Sequence, residues 1–170
     1  MQRFFQRTTF YVAVLVALML YSCNGLDIEE RTENTEKEEI SLAIANLTKN
    51  GYDVDTTALG VYYIMLKNGT GQYPQTGDTL DLIYTGFFLN GSIFDASYFH
   101  RQDSIWSLVY KTTSVVPGFE DAVGTLSKGA QGDFLIPSRL GYGPNGTYGV
   151  PPWTTLGFTI KLKGIRPSFK

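Results

Sequence analysis

The spacing of apolar residues divides the chain into four parts. An unbroken apolar run extends from Phe10 to Leu20, and a stretch rich in acidic residues follows it. Farther along, apolar residues recur at the three- and four-residue spacing of a helix face: Ile40, Ala43, Ile44 and Leu47. After Gly51 the spacing becomes the two-residue alternation that is typical of β-strands. These changes predict boundaries that separate residues 1–22, 23–39, 40–58 and 59–170.

The last and longest part, residues 59–170, reads as short strands separated by turns. Strands are predicted over residues 61–66, 79–88, 93–95, 105–110, 131–136 and 155–165. One helix is predicted over Phe119–Leu126, because Pro117-Gly118 precedes it and Gly129 follows it. Asn68-Gly69 and Asn90-Gly91 are typical hairpin turns. The predicted fold class is α+β: a curved antiparallel β-sheet wrapped around one short helix, preceded by a short N-terminal helix.

Composition and charge limit the chemistry that the chain can perform. The formal net charge of -2 argues against a nucleic-acid partner, since such proteins usually carry a basic surface. Cys23 is the single cysteine and His100 is the single histidine, so a Cys/His metal site or a Cys-His nucleophile is not expected. We therefore predict neither a metal nor a cofactor.

The apolar run near the start predicts export. Arg3 and Arg7 precede it, and it is short for a membrane span but typical of a signal-peptide core. The segment Leu20-Tyr21-Ser22-Cys23 resembles the bacterial lipobox. That resemblance implies a lipoprotein signal peptide over residues 1–22, a lipid on Cys23 that binds the membrane, and a place in the cell envelope, at the outer rather than the inner membrane. The alternatives are an ordinary secretory signal with an incidental cysteine, or an uncleaved anchor.

The stretch that follows Cys23 is acidic and has few apolar residues. It contains Asp27, Glu29, Glu30, Glu33, Glu36, Glu38 and Glu39. Such a composition buries little apolar surface, so we predict a solvated tether over residues 23–39. On this interpretation, residues 24–36 could be deleted with little loss of stability. A sorting signal for the cell surface is the alternative.

Four stretches of the last part carry recognisable motifs in a fixed order. They are Gly77–Gly86, Asn90–Ser97, Val115–Val123 and Gly141–Phe158. Together they resemble the FKBP family of peptidyl-prolyl isomerases, and the resemblance extends from Val61 to Ile165. It implies a monomeric enzyme that acts on proline-containing polypeptides. Phe119 stands where the family usually has tryptophan, and Trp106 stands where phenylalanine is usual, which bears on substrate preference.

The resemblance also implies a set of site residues. The catalytic groups would be Asp95, Tyr142, Phe94 and Phe119, and the substrate-binding groups would be Tyr84, Trp106, Val115, Val116, Val150 and Phe158. Rotation about an X-Pro bond needs no nucleophile, because an apolar pocket and hydrogen bonds that favour the twisted amide lower the barrier. Two other functions stay open: a non-catalytic chaperone that binds proline-containing segments, and an accessory lipoprotein of an envelope complex.

Overall fold

A computed structural model describes residues 31–168 of the chain. Its helices are α1 (Glu33–Lys49), α2 (Ser97–His100) and α3 (Pro117–Gly124), with two 3-10 helices at Ser138–Leu140 and Gly143–Asn145. Its strands are β1 (Asp55–Thr56), β2 (Tyr62–Lys67), β3 (Thr79–Phe88), β4 (Ile93–Ala96), β5 (Trp106–Val109), β6 (Gln131–Ile136) and β7 (Leu156–Arg166).

The seven strands form one antiparallel sheet in the order β1-β2-β6-β7-β3-β4. The remaining strand, β5, pairs with the first half of β3, from Thr79 to Leu82. β3 and β7 make the longest pairing, from Thr79 opposite Arg166 to Phe88 opposite Leu156. This architecture confirms the predicted α+β fold with a curved antiparallel sheet and an N-terminal helix. The turn prediction at Asn90-Gly91 is also confirmed, since it joins the paired strands β3 and β4.

The other predicted hairpin is wrong. β2 ends just before Asn68-Gly69, but it pairs with β1 and β6 rather than with β3. Gly69 instead lies against the turn before β6, where an added Cβ would be 2.5 Å from the carbonyl oxygen of Lys128. The Asn-Gly pair therefore ends a strand and begins a crossing connection. Turn chemistry alone cannot distinguish these two outcomes, because the partner strand is chosen by long-range pairing.

One face of the sheet and the inner face of α3 form the core. Alternate residues of the central strands are buried on that face: Leu80, Leu82, Tyr84, Phe134, Ile136, Phe158, Ile160 and Leu162. α3 contributes Phe119, Ala122 and Val123. Pro117 occupies the first turn of α3, where the missing N–H costs nothing and the fixed φ favours a helix.

The N-terminal helix begins earlier than the sequence predicts. Thr32 and Thr35 form reciprocal capping hydrogen bonds, and α1 then starts at Glu33, so residues 33–39 of the predicted tether are helical. Glu36 is only 3% exposed and accepts three hydrogen bonds from the domain. The expectation that the acidic stretch packs on nothing is therefore wrong from Glu33 onward. Capping and buried polar contacts, rather than apolar area, hold this end of the helix.

The predicted signal peptide, Cys23 and residues 24–30 of the predicted tether lie outside the described residues. Within residues 31–168, none of the helices combines the length and apolar content that crossing a membrane requires.

Candidate functional site

A cavity of about 170 Å³ opens on the face of the sheet that carries α3. Its walls come from β3, β4, β5, β7, the segment before α3, α3 itself and the loop after β6. Nine residues line it: Tyr84, Asp95, Trp106, Ser114, Val115, Val116, Phe119, Tyr142 and Phe158. The fold therefore brings together residues that are up to 74 positions apart in the chain (84 to 158).

Four aromatic rings form the base of this cavity. Phe119 lies at the centre, with ring centroids 5.1 Å from Phe158, 5.7 Å from Tyr84 and 5.9 Å from Trp106. The interplanar angles of these three pairs lie between 64° and 77°, so each pair meets edge to face. That geometry places the positive ring edge against the negative ring face and stabilises the arrangement. The result is an apolar aromatic surface at the base of the cavity.

A polar group borders the aromatic base. The Tyr84 hydroxyl donates to Asp95 Oδ2 at 2.9 Å, and the Ala96 N–H donates to Asp95 Oδ1 at 2.8 Å. Burial raises the pKa of the Tyr84 hydroxyl well above its ordinary value, and the hydrogen bond to Asp95 and the charge of that carboxylate add to the shift. Tyr84 is thus a protonated donor at neutral pH, and Asp95 is held as an acceptor.

His100 makes a contact that the sequence does not reveal. Its Nε2 lies 2.7 Å from Asp95 Oδ1, the carboxylate oxygen that also accepts the Ala96 N–H. The imidazole is 56% exposed, so water screens this contact. The contact between His100 and Asp95 depends on the short helix α2, which was not predicted.

Two candidate donors to a bound polypeptide face the cavity. Tyr142 lies between two glycines, is 41% exposed and reaches the cavity from the loop after β6. Val116 is the N-cap of α3, and its carbonyl accepts from the Phe119 N–H at 3.0 Å. None of the backbone hydrogen bonds found between residues 31 and 168 uses the Val116 N–H as a donor. Tyr142 and Val116 thus both belong to the cavity wall.

The structure brings eight of the ten predicted site residues into the cavity wall and places two elsewhere. Phe94 is half-buried, and its ring packs on Phe158 with centroids 5.5 Å apart and on Phe88 at 4.9 Å. Val150 is 6% exposed and belongs to the core cluster. These two residues are not among the nine that line the cavity. Ser114 was missed, because a polar residue in a loop before a helix gives no distinctive signal.

A larger cavity of about 320 Å³ lies beside α1. It is lined mainly by apolar side chains of α1, β2, β3 and β6, among them Leu47, Tyr62 and Phe87. It contains none of the ten predicted site residues. We therefore place the functional site at the smaller cavity.

In the region 31–168, no three His, Cys, Asp or Glu side chains cluster in a way that would hold a metal ion.

The site thus combines an aromatic base and a polar edge on an antiparallel sheet that holds one helix. The sequence profile of FKBP-type peptidyl-prolyl cis-trans isomerases matches residues 70–163, which is more than half of the chain. The chain belongs to the FKBP-type peptidyl-prolyl cis-trans isomerase family, as the sequence motifs predict.

Named relatives agree with this assignment. FkpA, an FKBP-type isomerase of Escherichia coli K12, is 32% identical over 117 residues, which cover 69% of this chain and 42% of that protein. The isomerase Mip of Coxiella burnetii is 34% identical over 134 residues, which cover 78% of this chain and 55% of Mip. The chain thus spans about half the length of these curated relatives.

Solved structures show the same fold. A peptidyl-prolyl isomerase from Pseudomonas syringae pv. tomato superposes with a TM-score of 0.67 at 27% identity, covering 82% of this chain and 98% of that one. FkpA from Escherichia coli gives a TM-score of 0.65 at 25% identity, covering 95% of this chain and 73% of that one.

Proposed function

We propose that this chain accelerates cis-trans isomerisation of X-Pro bonds in exported polypeptides. The observation that carries the proposal is the cavity itself, which has an aromatic base and candidate hydrogen-bond donors on its rim. Family membership supports the same reaction. Its substrates would be proline-containing segments of other proteins, and no cofactor is needed.

The chemistry follows from the electronic structure of the amide. Rotation about the C–N bond faces a barrier of about 18–20 kcal/mol, because the twisted state loses resonance. The planar amide is more charge-separated than the twisted one, so removing water in an apolar cavity weakens the planar state. Donors that fit only the twisted geometry add differential binding of the transition state. A barrier lower by about 6 kcal/mol gives roughly four powers of ten in rate.

In this scheme each part of the site has one task. Phe119, Phe158 and Trp106 receive the proline ring and exclude water. The Tyr142 hydroxyl and the Val116 N–H donate to carbonyls beside the twisted bond. Asp95, held by Tyr84, orients the donors at the cavity edge.

The direct test is an isomerisation assay on a prolyl tetrapeptide with residues 31–170. We expect acceleration over the spontaneous rate, and we expect Phe119→Ala to lose most of it. The melting temperature must be measured alongside, because Phe119 is 4% exposed and its truncation costs about 3–5 kcal/mol of stability. A folded wild-type protein with no acceleration would contradict the enzymatic proposal.

One observation favours a second function, that of a chaperone that binds extended segments. Tyr98 and Phe99 on α2 are 47% and 58% exposed, with ring centroids 4.7 Å apart. α2 also carries His100, which contacts Asp95 of the cavity wall. An exposed aromatic pair beside the cavity would bind apolar residues near a proline. Suppression of aggregation by a folded protein that shows no tetrapeptide isomerisation would support this function over the first.

We further propose that the protein is a lipoprotein of the bacterial envelope, anchored through Cys23 and monomeric. The support is the position of the only cysteine at the end of an apolar signal core. An outer-membrane place rather than an inner-membrane one, facing the periplasm or the cell surface, would give the site access to proteins that fold after export.

A further inference from the structure

The loop between β6 and β7, residues 137–155, carries Tyr142 and is closed at its base by one carboxylate. Glu36 Oε1 accepts from the Ser138 N–H at 2.6 Å and from Thr155 Oγ1 at 2.7 Å. Glu36 Oε2 accepts from the Ser138 hydroxyl. All three side chains are at most 3% exposed. A residue of α1 therefore binds both ends of the loop at the same time.

A second contact reaches the same loop from Arg31, which lies just before α1. Arg31 Nη2 donates to the Trp153 carbonyl at 3.1 Å, and Glu39 holds the guanidinium at 2.7 Å. The Trp153 N–H in turn donates to the Gly143 carbonyl at 3.1 Å. Gly143 directly follows Tyr142, so this chain of contacts ends beside the cavity.

The other neighbour of Tyr142 is connected in the same way. The Gly141 N–H donates to the Ser138 carbonyl at 2.8 Å, and Ser138 is the residue that Glu36 holds through both its N–H and its hydroxyl. Both residues that flank Tyr142 thus lie one hydrogen bond from a residue that is contacted either by Glu36 of α1 or by Arg31, just before α1. Hydrogen bonds to a buried carboxylate are stronger than those between neutral groups, so this connection is stiff.

We propose that Glu36 is a positioning residue for the site: it holds the β6–β7 loop so that the Tyr142 hydroxyl faces the cavity. The inference rests on the proposed isomerase function of this cavity and adds α1 to the functional unit. α1 lies entirely before residue 70, where the family match begins. Acidic residues at this end of the chain are then part of the site's support rather than a solvated tether.

Three variants separate positioning from simple stabilisation. Glu36→Leu removes every acceptor and leaves the buried Ser138 N–H unpaired. Glu36→Gln keeps the shape: its amide oxygen accepts from the Ser138 N–H and Thr155 Oγ1, and its amide nitrogen donates to the Ser138 hydroxyl. Ile40→Ala is the matched control, since Ile40 lies one turn farther on the same helix, is 7% exposed and makes none of these hydrogen bonds.

The isomerase readout is a double-mutant cycle with Tyr142→Phe, measured as kcat/KM on a prolyl tetrapeptide. We expect Glu36→Leu to lower kcat/KM about as much as Tyr142→Phe does, up to tenfold, through kcat more than KM. In the Tyr142→Phe background the same substitution should change little, because the hydroxyl that it positions is already absent. Glu36→Gln should recover most of the activity, and Ile40→Ala should lower the melting temperature without changing kcat/KM. The proposal would be overturned if the losses from Glu36→Leu and Tyr142→Phe multiplied in the double variant, as they do for independent effects. It would also be overturned if Glu36→Leu kept wild-type activity.

A readout that does not need activity keeps this inference distinct from the proposed function. Deuterium uptake of the segment 139–150 should rise in Glu36→Leu and stay at the wild-type level in Ile40→Ala. Unchanged uptake would overturn positioning even if the wild type is an active enzyme. If wild type shows no isomerisation while uptake rises as expected, the isomerase proposal fails and the loop assignment stands. Should Glu36→Leu not fold, Thr155→Val removes one of the three donors and gives the same comparison in a milder form.

Discussion

At the scale of single residues, the Tyr84 hydroxyl is enclosed by aromatic rings and one carboxylate. The side chain is 6% exposed, contacts three aromatic rings and donates to Asp95. Both burial and the neighbouring carboxylate oppose its ionisation, so the pKa of Tyr84 is raised. A group whose pKa is higher in the folded protein than in the unfolded chain stabilises the fold fully below the unfolded value, and this contribution is lost as the pH rises above it.

The raised pKa predicts a specific pH dependence of stability. Above a pH of about 10, the free energy of unfolding of the wild type should fall more steeply than that of Tyr84→Phe, by at most about 1.4 kcal/mol per pH unit. Burial also raises the pKa of Tyr110, but that contribution is common to both proteins and cancels in the comparison. Denaturant unfolding at pH 8 and pH 11 measures the difference. Tyr148→Phe, at a fully exposed tyrosine, is the control, and equal slopes in wild type and Tyr84→Phe would contradict the assignment.

Sequence motifs predict most of the cavity wall, but not every residue of the motifs lies on it. Motifs indicate which residues recur around a site, whereas the distance of each ring from the cavity depends on how the strands curve. Phe94 is adjacent to Asp95 in the chain, yet its ring packs on Phe158 and Phe88 while Asp95 lies on the wall. The contact between His100 and Asp95 depends on α2, four residues with no periodic signal.

Phe94 and Tyr142 should therefore respond differently to truncation. Phe94→Ala removes a ring that packs edge to face on Phe158, so we expect a lower melting temperature together with a partial loss of kcat/KM. Tyr142→Phe deletes one hydroxyl of a half-exposed side chain, so folding should be unaffected. Its kcat/KM should fall by about tenfold or less, as expected for a neutral hydrogen bond of about 0.5–1.5 kcal/mol. A stable Phe94→Ala protein with full activity would show that the ring contributes nothing to the cavity.

At the scale of elements, strands were predicted more accurately than the N-terminal helix. β3 and β6 have the bounds expected from alternation, because each buries one face and a shift of one residue would expose it. The start of α1 was placed seven residues late (40 against 33), because its first two turns are held by capping threonines and by Glu36. Apolar periodicity does not detect polar contacts between distant segments.

The close approach of α3 to the sheet gives an element-scale prediction. An added Cβ at Gly118 would lie 2.2 Å from Ile136 Cγ2 of β6 and 3.0 Å from Leu140 Cβ. Alanine favours helices over glycine by about 1 kcal/mol, so propensity alone predicts that Gly118→Ala stabilises the protein. We expect the opposite, a loss of about 1–3 kcal/mol from overpacking against β6. Denaturant unfolding decides between the two signs, and a stabilised variant would mean that α3 moves away from β6 without cost.

At the scale of the whole molecule, the folded unit is larger than the family match. The match begins at residue 70, but β2 (Tyr62–Lys67) pairs with β6 within the sheet, and α1 contacts the β6–β7 loop through Glu36. A fragment that begins at residue 70 would lack Glu36 and β2, and the edge of β6 that pairs with β2 would be exposed. An unpaired strand edge of this kind promotes association with other chains. Residues 31–69 therefore belong in any functional study of the domain.

The apolar run and the single cysteine, which precede residue 31, predict a lipid anchor on Cys23. If Cys23 is the lipidated residue, metabolic labelling with a fatty-acid analogue should mark the wild type and leave Cys23→Ala unlabelled. The wild type should also sediment with membranes, since each buried methylene contributes about 0.8 kcal/mol to anchoring. Ser22→Ala is the matched control, because it keeps the cysteine and a small residue before it, and it should be labelled like the wild type. Equal labelling of wild type and Cys23→Ala would show that the lipid, if any, is attached elsewhere, and an unlabelled wild type that is released from the cells would favour an ordinary secretory signal.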